Sequence, residues 1–260
     1  MIARKTSHNQ GFSLLELSVV LSIVVVIAAA SMTVGAQKIT QQEIETTHNE
    51  MQLLTERVQS FFRNNLRLPC PAPMTAVKGD ALYGKESEDI AGCTDTTSVT
   101  GVWREQTPDG NWVRIGAIPF ASLGLPDDFL GDAWGTRYLY AVDESLMLTA
   151  SCQEIFNGNA DFEIYDGTGT NRIVTNGAFA LVSHGMSGTG GYYSKSGVQR
   201  AACSGSTLDG ENCDNATDGK LIKAGFNNGD TVANFFDDYV TWVTGTRLRE
   251  VCPTSTPPST

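Results

Sequence analysis

The sequence predicts an α+β protein: one long N-terminal helix packed on a mainly antiparallel β-sheet domain with disulfide-pinned loops. Three observations carry this. No proline occurs between Phe12 and Arg67, and residues 17–37 hold no charge and are mostly Leu, Ile, Val and Ala. A helix needs ~20 such residues to cross a bilayer. From Lys38 to Asn65, Ile44, Met51, Leu54, Val58 and Phe61 or Phe62 recur on one helical face, with Gln41, Glu45, Asn49 and Arg57 on the other. After Leu68-Pro69-Cys70-Pro71-Ala72-Pro73, short aromatic and β-branched runs alternate with Gly, Asn and Asp, which is the pattern of strands and turns.

The elements follow in order. One helix is expected from about Phe12 to Asn65, roughly 80 Å long at ~1.5 Å per residue. Three prolines in five residues end it. Residues 74–101 read as a long polar loop. Val102-Trp103-Arg104 and Trp112-Val113-Arg114-Ile115 flank Pro108-Asp109-Gly110 and predict a hairpin. Tyr138, Tyr140 and Val142 alternate with Leu139 and Ala141, so both faces are apolar and the strand belongs in the middle of a sheet. Phe162–Tyr165, Arg172–Val174, Ala178–Val182 and Tyr239–Val243 are further strands, with Asn176-Gly177 read as punctuation between two of them. Gly185 to Gly197 and residues 203–219 read as loops, and Pro253–Thr260 as a flexible tail.

The formal net charge is −11, of which the first 11 residues, with Arg4 and Lys5 and no acid, contribute +2 and the remainder −13. A positive leader before an apolar run stays cytoplasmic, so the acidic body crosses the membrane. An acidic body also argues against nucleic acid as a partner, which requires a basic stripe. All six cysteines, Cys70, Cys93, Cys152, Cys203, Cys213 and Cys252, follow the apolar run. An even number beyond an export segment indicates disulfides in an oxidising space. Pairing 70–93 and 203–213 as local loops leaves 152–252. No CxxC pair occurs, so zinc and thioredoxin-like readings are weak.

One acid, Glu16, stands at the head of the apolar run, immediately after Gly11-Phe12-Ser13-Leu14-Leu15. Unpaired in lipid it would cost ~2.5–3.5 kcal/mol. This stretch resembles the type IV pilin and type II secretion pseudopilin superfamily: a short basic leader ending in glycine, then an aromatic residue and a buried acid before a membrane run. The resemblance implies that prepilin peptidase cuts between Gly11 and Phe12 and that the new Phe12 amine is N-methylated. Glu16 becomes the fifth mature residue. It further implies that Glu16 pairs with the Phe12 amine of a neighbouring subunit. Each charge offsets much of the other's cost in hydrocarbon, so the pair sets the register of a filament. An ordinary signal peptide cut after Ala28-Ala29-Ala30 or Val34-Gly35-Ala36, or a plain single-span anchor, leaves Glu16 unexplained. The segment Asp132-Ala133-Trp134-Gly135 before the Tyr138 strand is similar to the Asp-x-Trp-Gly segment of major pseudopilins.

Other chemistry is weaker. Of three histidines, His184 alone could serve a site in the domain. It adjoins Ser183, but a sequence neighbour is not a triad, and the pair reads as solvated loop. Gly167-Thr168-Gly169 and Gly188-Thr189-Gly190 lack a following Gly-Lys-Ser/Thr and are turns. Major pseudopilins bind calcium near the C-terminal sheet, and the loop with Asp209, Glu211, Asp214 and Asp218 offers oxygens for it. Its spacing matches no EF-hand and Cys213 interrupts it, so solvated charge is the reading taken and no cofactor is assigned.

Together these readings divide the chain into a cleaved leader (1–11), a transmembrane and filament-core half of the helix (12–37), an amphipathic half (38–66), a periplasmic or extracellular β-rich domain (67–252) and a tail (253–260). The expected function is a non-enzymatic, prepilin-like subunit in the bacterial inner membrane. It is single-pass with its N-terminus cytoplasmic, and it assembles into a type IV pilus or secretion pseudopilus. Its partners are prepilin peptidase, other pilin or pseudopilin subunits, the inner-membrane assembly platform and membrane lipid. The alternative is a single-span, membrane-anchored periplasmic binding or enzymatic domain, which needs a concave site with convergent polar groups.

Overall fold

The computed structural model describes residues 14–87, 100–147, 160, 162–203, 207–213, 219–227 and 235–252, with helical backbone but no described side chains at 28–37. The chain divides into two compact units, residues 1–45 and 46–260. Helix α1, Leu14–Asn65, runs unbroken through the boundary, as the lack of proline predicts.

In the first unit the large apolar side chains of α1 are exposed from Leu14 (87%) through Val20 (48%) to Ile27 (60%). They lie on every side of the helix, not along one stripe. Among the described residues, no helix is long and apolar enough to cross a membrane. The expected span extends to residue 37, and its second part, residues 28–37, lies outside the described side chains.

In the second unit α1 shows the expected face. Met51, Leu54, Val58 and Phe62 are buried, and the helix ends where Leu66 takes a positive φ of 54° ahead of the proline cluster. Among the described residues seven strands form one sheet: β1 Trp103–Gln106, β2 Trp112–Ala117, β3 Leu139–Asp143, β4 Phe162–Asp166, β5 Arg172–Ser183, β6 Leu221–Lys223 and β7 Tyr239–Thr244. Their order is β1-β2-β3-β5-β4-β6, and β7 pairs with β5. All these pairings are antiparallel except β4 with β6. Two short helices, α2 Leu208–Glu211 and α3 Gly245–Arg249, flank β6 and β7.

Strand β3 is buried along its whole length and lies between β2 and β5. Tyr138, Tyr140 and Val142 pack with Met51, Leu54, Val58 and Phe62 of α1. Leu139 and Ala141 point into a second cluster with Ile115, Ala180, Val182 and Leu221. The two-sided apolar pattern therefore reports a sheet covered on both faces. Loops cover the second face, with Ala72 and Met74 in its cluster and Tyr192 packed against it.

Three expectations are corrected. Asn176-Gly177 does not divide two strands; β5 continues through it for 12 residues. A Cβ at Gly177 would sit 2.8 Å from the Phe162 carbonyl oxygen, and the β5–β7 register shifts between Gly177 and Phe179. Glycine here permits close strand approach at a bulge and makes no turn. The polar stretch 203–219 contains α2. Ser183 and His184 are fully buried, not solvated, because β5 carries them into the packed interior. Cys203 and Cys213 pair as expected, with Cα atoms 5.7 Å apart. Cys70 and Cys252 are disulfide-bonded, and their expected partners, Cys93 and Cys152, lie outside the described residues.

Candidate metal centre

Three carboxylates from two distant parts of the sequence meet beside the C-terminal strand. Asp209 lies in α2, which Thr207 caps by accepting from the Gly210 amide and which the Cys203–Cys213 disulfide closes. Asp237 and Asp238 immediately precede β7. One oxygen from each of the three lies within 4.8 Å of the others, and the residues are 2%, 3% and 4% exposed.

The surrounding groups bond only part of this set. Ser187 donates its amide to Asp237 Oδ2 at 2.7 Å, and its hydroxyl lies 2.9 Å from Asp237 Oδ1 and 3.1 Å from Asp209 Oδ2. Asn212 donates to Asp238 Oδ2 at 2.8 Å and binds both the amide and the carbonyl of Ile222, tying α2 to β6. Among the described residues, the buried Asp209 Oδ1 and Asp238 Oδ1 find no hydrogen-bond partner. His184 Nδ1 lies 3.8 Å from Asp238 Oδ1, and among the described residues neither ring nitrogen makes a hydrogen bond.

The electrostatics are unfavourable without a counter-charge. Burial pushes Asp237 up to about 6. Burial and the neighbouring Asp209 raise Asp238 well above the usual carboxylate range. Burial pushes His184 down to about 4, so the imidazole is neutral near pH 7 and supplies no positive charge. Three buried acids with two unbonded oxygens can either hold protons or surround a hard cation.

The sequence-predicted acids divide accordingly. Asp209 joins the cluster. Glu211 instead lines a neighbouring cavity. Asp214 and Asp218 lie outside the described residues. Asp237 and Asp238 escape a reading by local runs, and His184, the one histidine that could serve a domain site, is buried beside them and not solvated. Their signal was available: an acidic doublet set directly against the apolar strand Tyr239–Val243 must be bonded or compensated.

The processing residues lie elsewhere in the chain. Gly11 and Phe12 fall outside the described residues. Glu16 occupies the first turn of α1, where a carboxylate complements the helix dipole, and its side chain is exposed. Residues 6–32 match the family model of the prokaryotic N-terminal methylation motif. No curated protein and no solved structure matches the chain.

Proposed function

Because residues 6–32 carry the prokaryotic N-terminal methylation motif, the signature of type IV pilins and pseudopilins, we propose that the chain is a prepilin-like structural subunit. Prepilin peptidase cuts it between Gly11 and Phe12, and the Phe12 amine is methylated. The subunit rests in the inner membrane with its leader cytoplasmic and its domain periplasmic. An assembly platform then draws it with other subunits into a pilus or pseudopilus filament. Its role is structural and not enzymatic.

The motif carries this reading, and α1 supports it. The helix has apolar residues exposed all round between Leu14 and Ile27, and a helix of that kind needs lipid or other helices around it. Glu16 in its first turn is then the one acid in an apolar setting, and the cationic Phe12 amine of a neighbour is its natural partner. Glu16→Ala tests this. It removes an unfavourable charge from hydrocarbon, so insertion and cleavage should be normal. Each filament interface would then leave one amine unpaired, at ~3–5 kcal/mol, and filaments should be few or absent. Filaments at wild-type levels would contradict the pairing.

Within the domain, the Asp209, Asp237 and Asp238 oxygens suit a calcium-type cation, which prefers carboxylate and other oxygen ligands. The ion would tie α2 to the start of β7 and so fix the disulfide loop.

A further inference from the structure

Strand β7 pairs with β5 along one edge, and among the described residues no strand pairs with its other edge. A groove of about 460 Å³ lies between this strand and the amphipathic half of α1. Asn49, Gln52 and Gln59 of α1 line one side, and Tyr239, Val240 and Thr241 of β7 the other. Val240 lines the groove although its side chain packs in the cluster on the opposite face of the sheet, so the groove reaches the strand's backbone. His48 stands edge-on to Tyr239, with ring centroids 5.1 Å apart, and the two give the groove an aromatic patch.

The lining decides what fits. Its charged groups are already engaged: Arg247 pairs with Glu250 at 2.6 Å, and Glu56 accepts from Gln52 at 3.3 Å. Among the described residues, the Tyr239 hydroxyl and the Asn49, Gln59 and Thr241 side chains make no hydrogen bond, and all four can donate to carbonyl groups. An uncharged, extended, proline-rich segment uses such a lining. It holds its shape without internal hydrogen bonds, leaves its carbonyls free and docks on aromatic side chains. It also covers a free sheet edge without presenting a new one, because proline has no N–H to offer a further strand. The chain carries such a segment, since Pro253–Thr260 consists of Pro, Ser and Thr alone. It follows Cys252, which is buried in one cluster with Met51 and Val243, and Met51 also lines the groove. Its eight residues reach roughly 25 Å at ~3.1 Å each, against roughly 20 Å for the six residues of β7. We propose that the tail Pro253–Thr260 lies in this groove of its own chain, as a strap along the outer edge of β7. The strap belongs to the domain alone and is separate from the filament reading of the N-terminal helix.

The test uses the full chain in detergent, with the photo-crosslinker p-benzoylphenylalanine in place of Thr256. Illumination should join the tail to residues 48–59 or 239–241 of the same chain, in a product of monomer mass. Hydrogen exchange supplies the second measurement. In a chain that ends at Cys252, the amides of Tyr239–Thr244 should exchange at least threefold faster than in the full chain, and added Pro253–Thr260 peptide should restore their protection. Asn49→Ala with Gln59→Ala removes two exposed or half-buried donors and should reduce the cross-link severalfold. Should the shortened chain fail to fold, the cross-link in the full chain decides. No cross-link, cross-links only to other surfaces or to a second copy, or equal exchange in the folded full and shortened chains would overturn the proposal.

Discussion

The Tyr138 hydroxyl donates to Glu50 Oε2 at 2.7 Å, joining the approach to β3 with the amphipathic half of α1. It is a polar fastening at the edge of an apolar contact, since Tyr138 is fully buried among α1 side chains. Burial raises the Glu50 carboxyl, and the Tyr138 bond pulls it back. Nearby, Thr47 Oγ1 accepts from the Ala133 amide at 3.3 Å, so two polar contacts fix how this part of α1 lies on the sheet.

Tyr138→Phe keeps the ring and removes the donor. Losing a hydrogen bond to a partly buried acid typically costs ~1.5–3 kcal/mol, and denaturant unfolding should show a loss of that order with an unchanged slope. Unaltered stability would mean that water replaces the hydroxyl at Glu50 without cost.

Asp132 gives a pH dependence. Its carboxylate accepts from the Ser183 hydroxyl and from the Trp134 and Thr136 amides. Burial nevertheless outweighs these bonds and pushes it up to about 6. The folded state therefore holds this proton more tightly than the unfolded chain, whose ordinary value is 3.8. The group's contribution is fully present below about pH 4 and is lost as pH rises through about 6, a change of about 3 kcal/mol. Asp132→Asn should flatten the stability difference between pH 4 and pH 7 by that order relative to wild type. Parallel profiles for the two proteins would contradict the assignment.

Much of this fold is legible in the residues. The spacing of Met51, Leu54, Val58 and Phe62 marks the buried face of α1, and the apolar alternation of Tyr138–Val142 marks a central strand. Local patterns suffice there because each residue's environment repeats with the period of its own element. They fail at Asn176-Gly177, where a dipeptide that favours turns sits inside β5 because Phe162 crowds it. They fail again at the acidic centre. Asp209 and the Asp237-Asp238 doublet are brought together by β6, a three-residue strand parallel to β4, and by Asn212 clamping Ile222. No local run encodes such a meeting. The Gly11–Glu16 head is the opposite case, since its signal lies in adjacent residues of the sequence.

The cation reading makes a separate prediction. Calcium at one hundred times its dissociation constant should stabilise the folded chain by ~2.7 kcal/mol, with chelation reversing the shift. Asp238→Asn should abolish the calcium response, because it removes one of the three carboxylates that would surround the ion. An equal calcium shift in wild type and Asp238→Asn would place the ion elsewhere.

The central claim is that the methylation motif at residues 6–32 is used. The most direct measurement is the intact mass and N-terminal sequence of the mature chain from a host with prepilin peptidase. The account predicts a chain beginning at Phe12 and carrying one added methyl group. A chain beginning at Ser31 or Gln37, the products of ordinary signal-peptide cleavage, would contradict it.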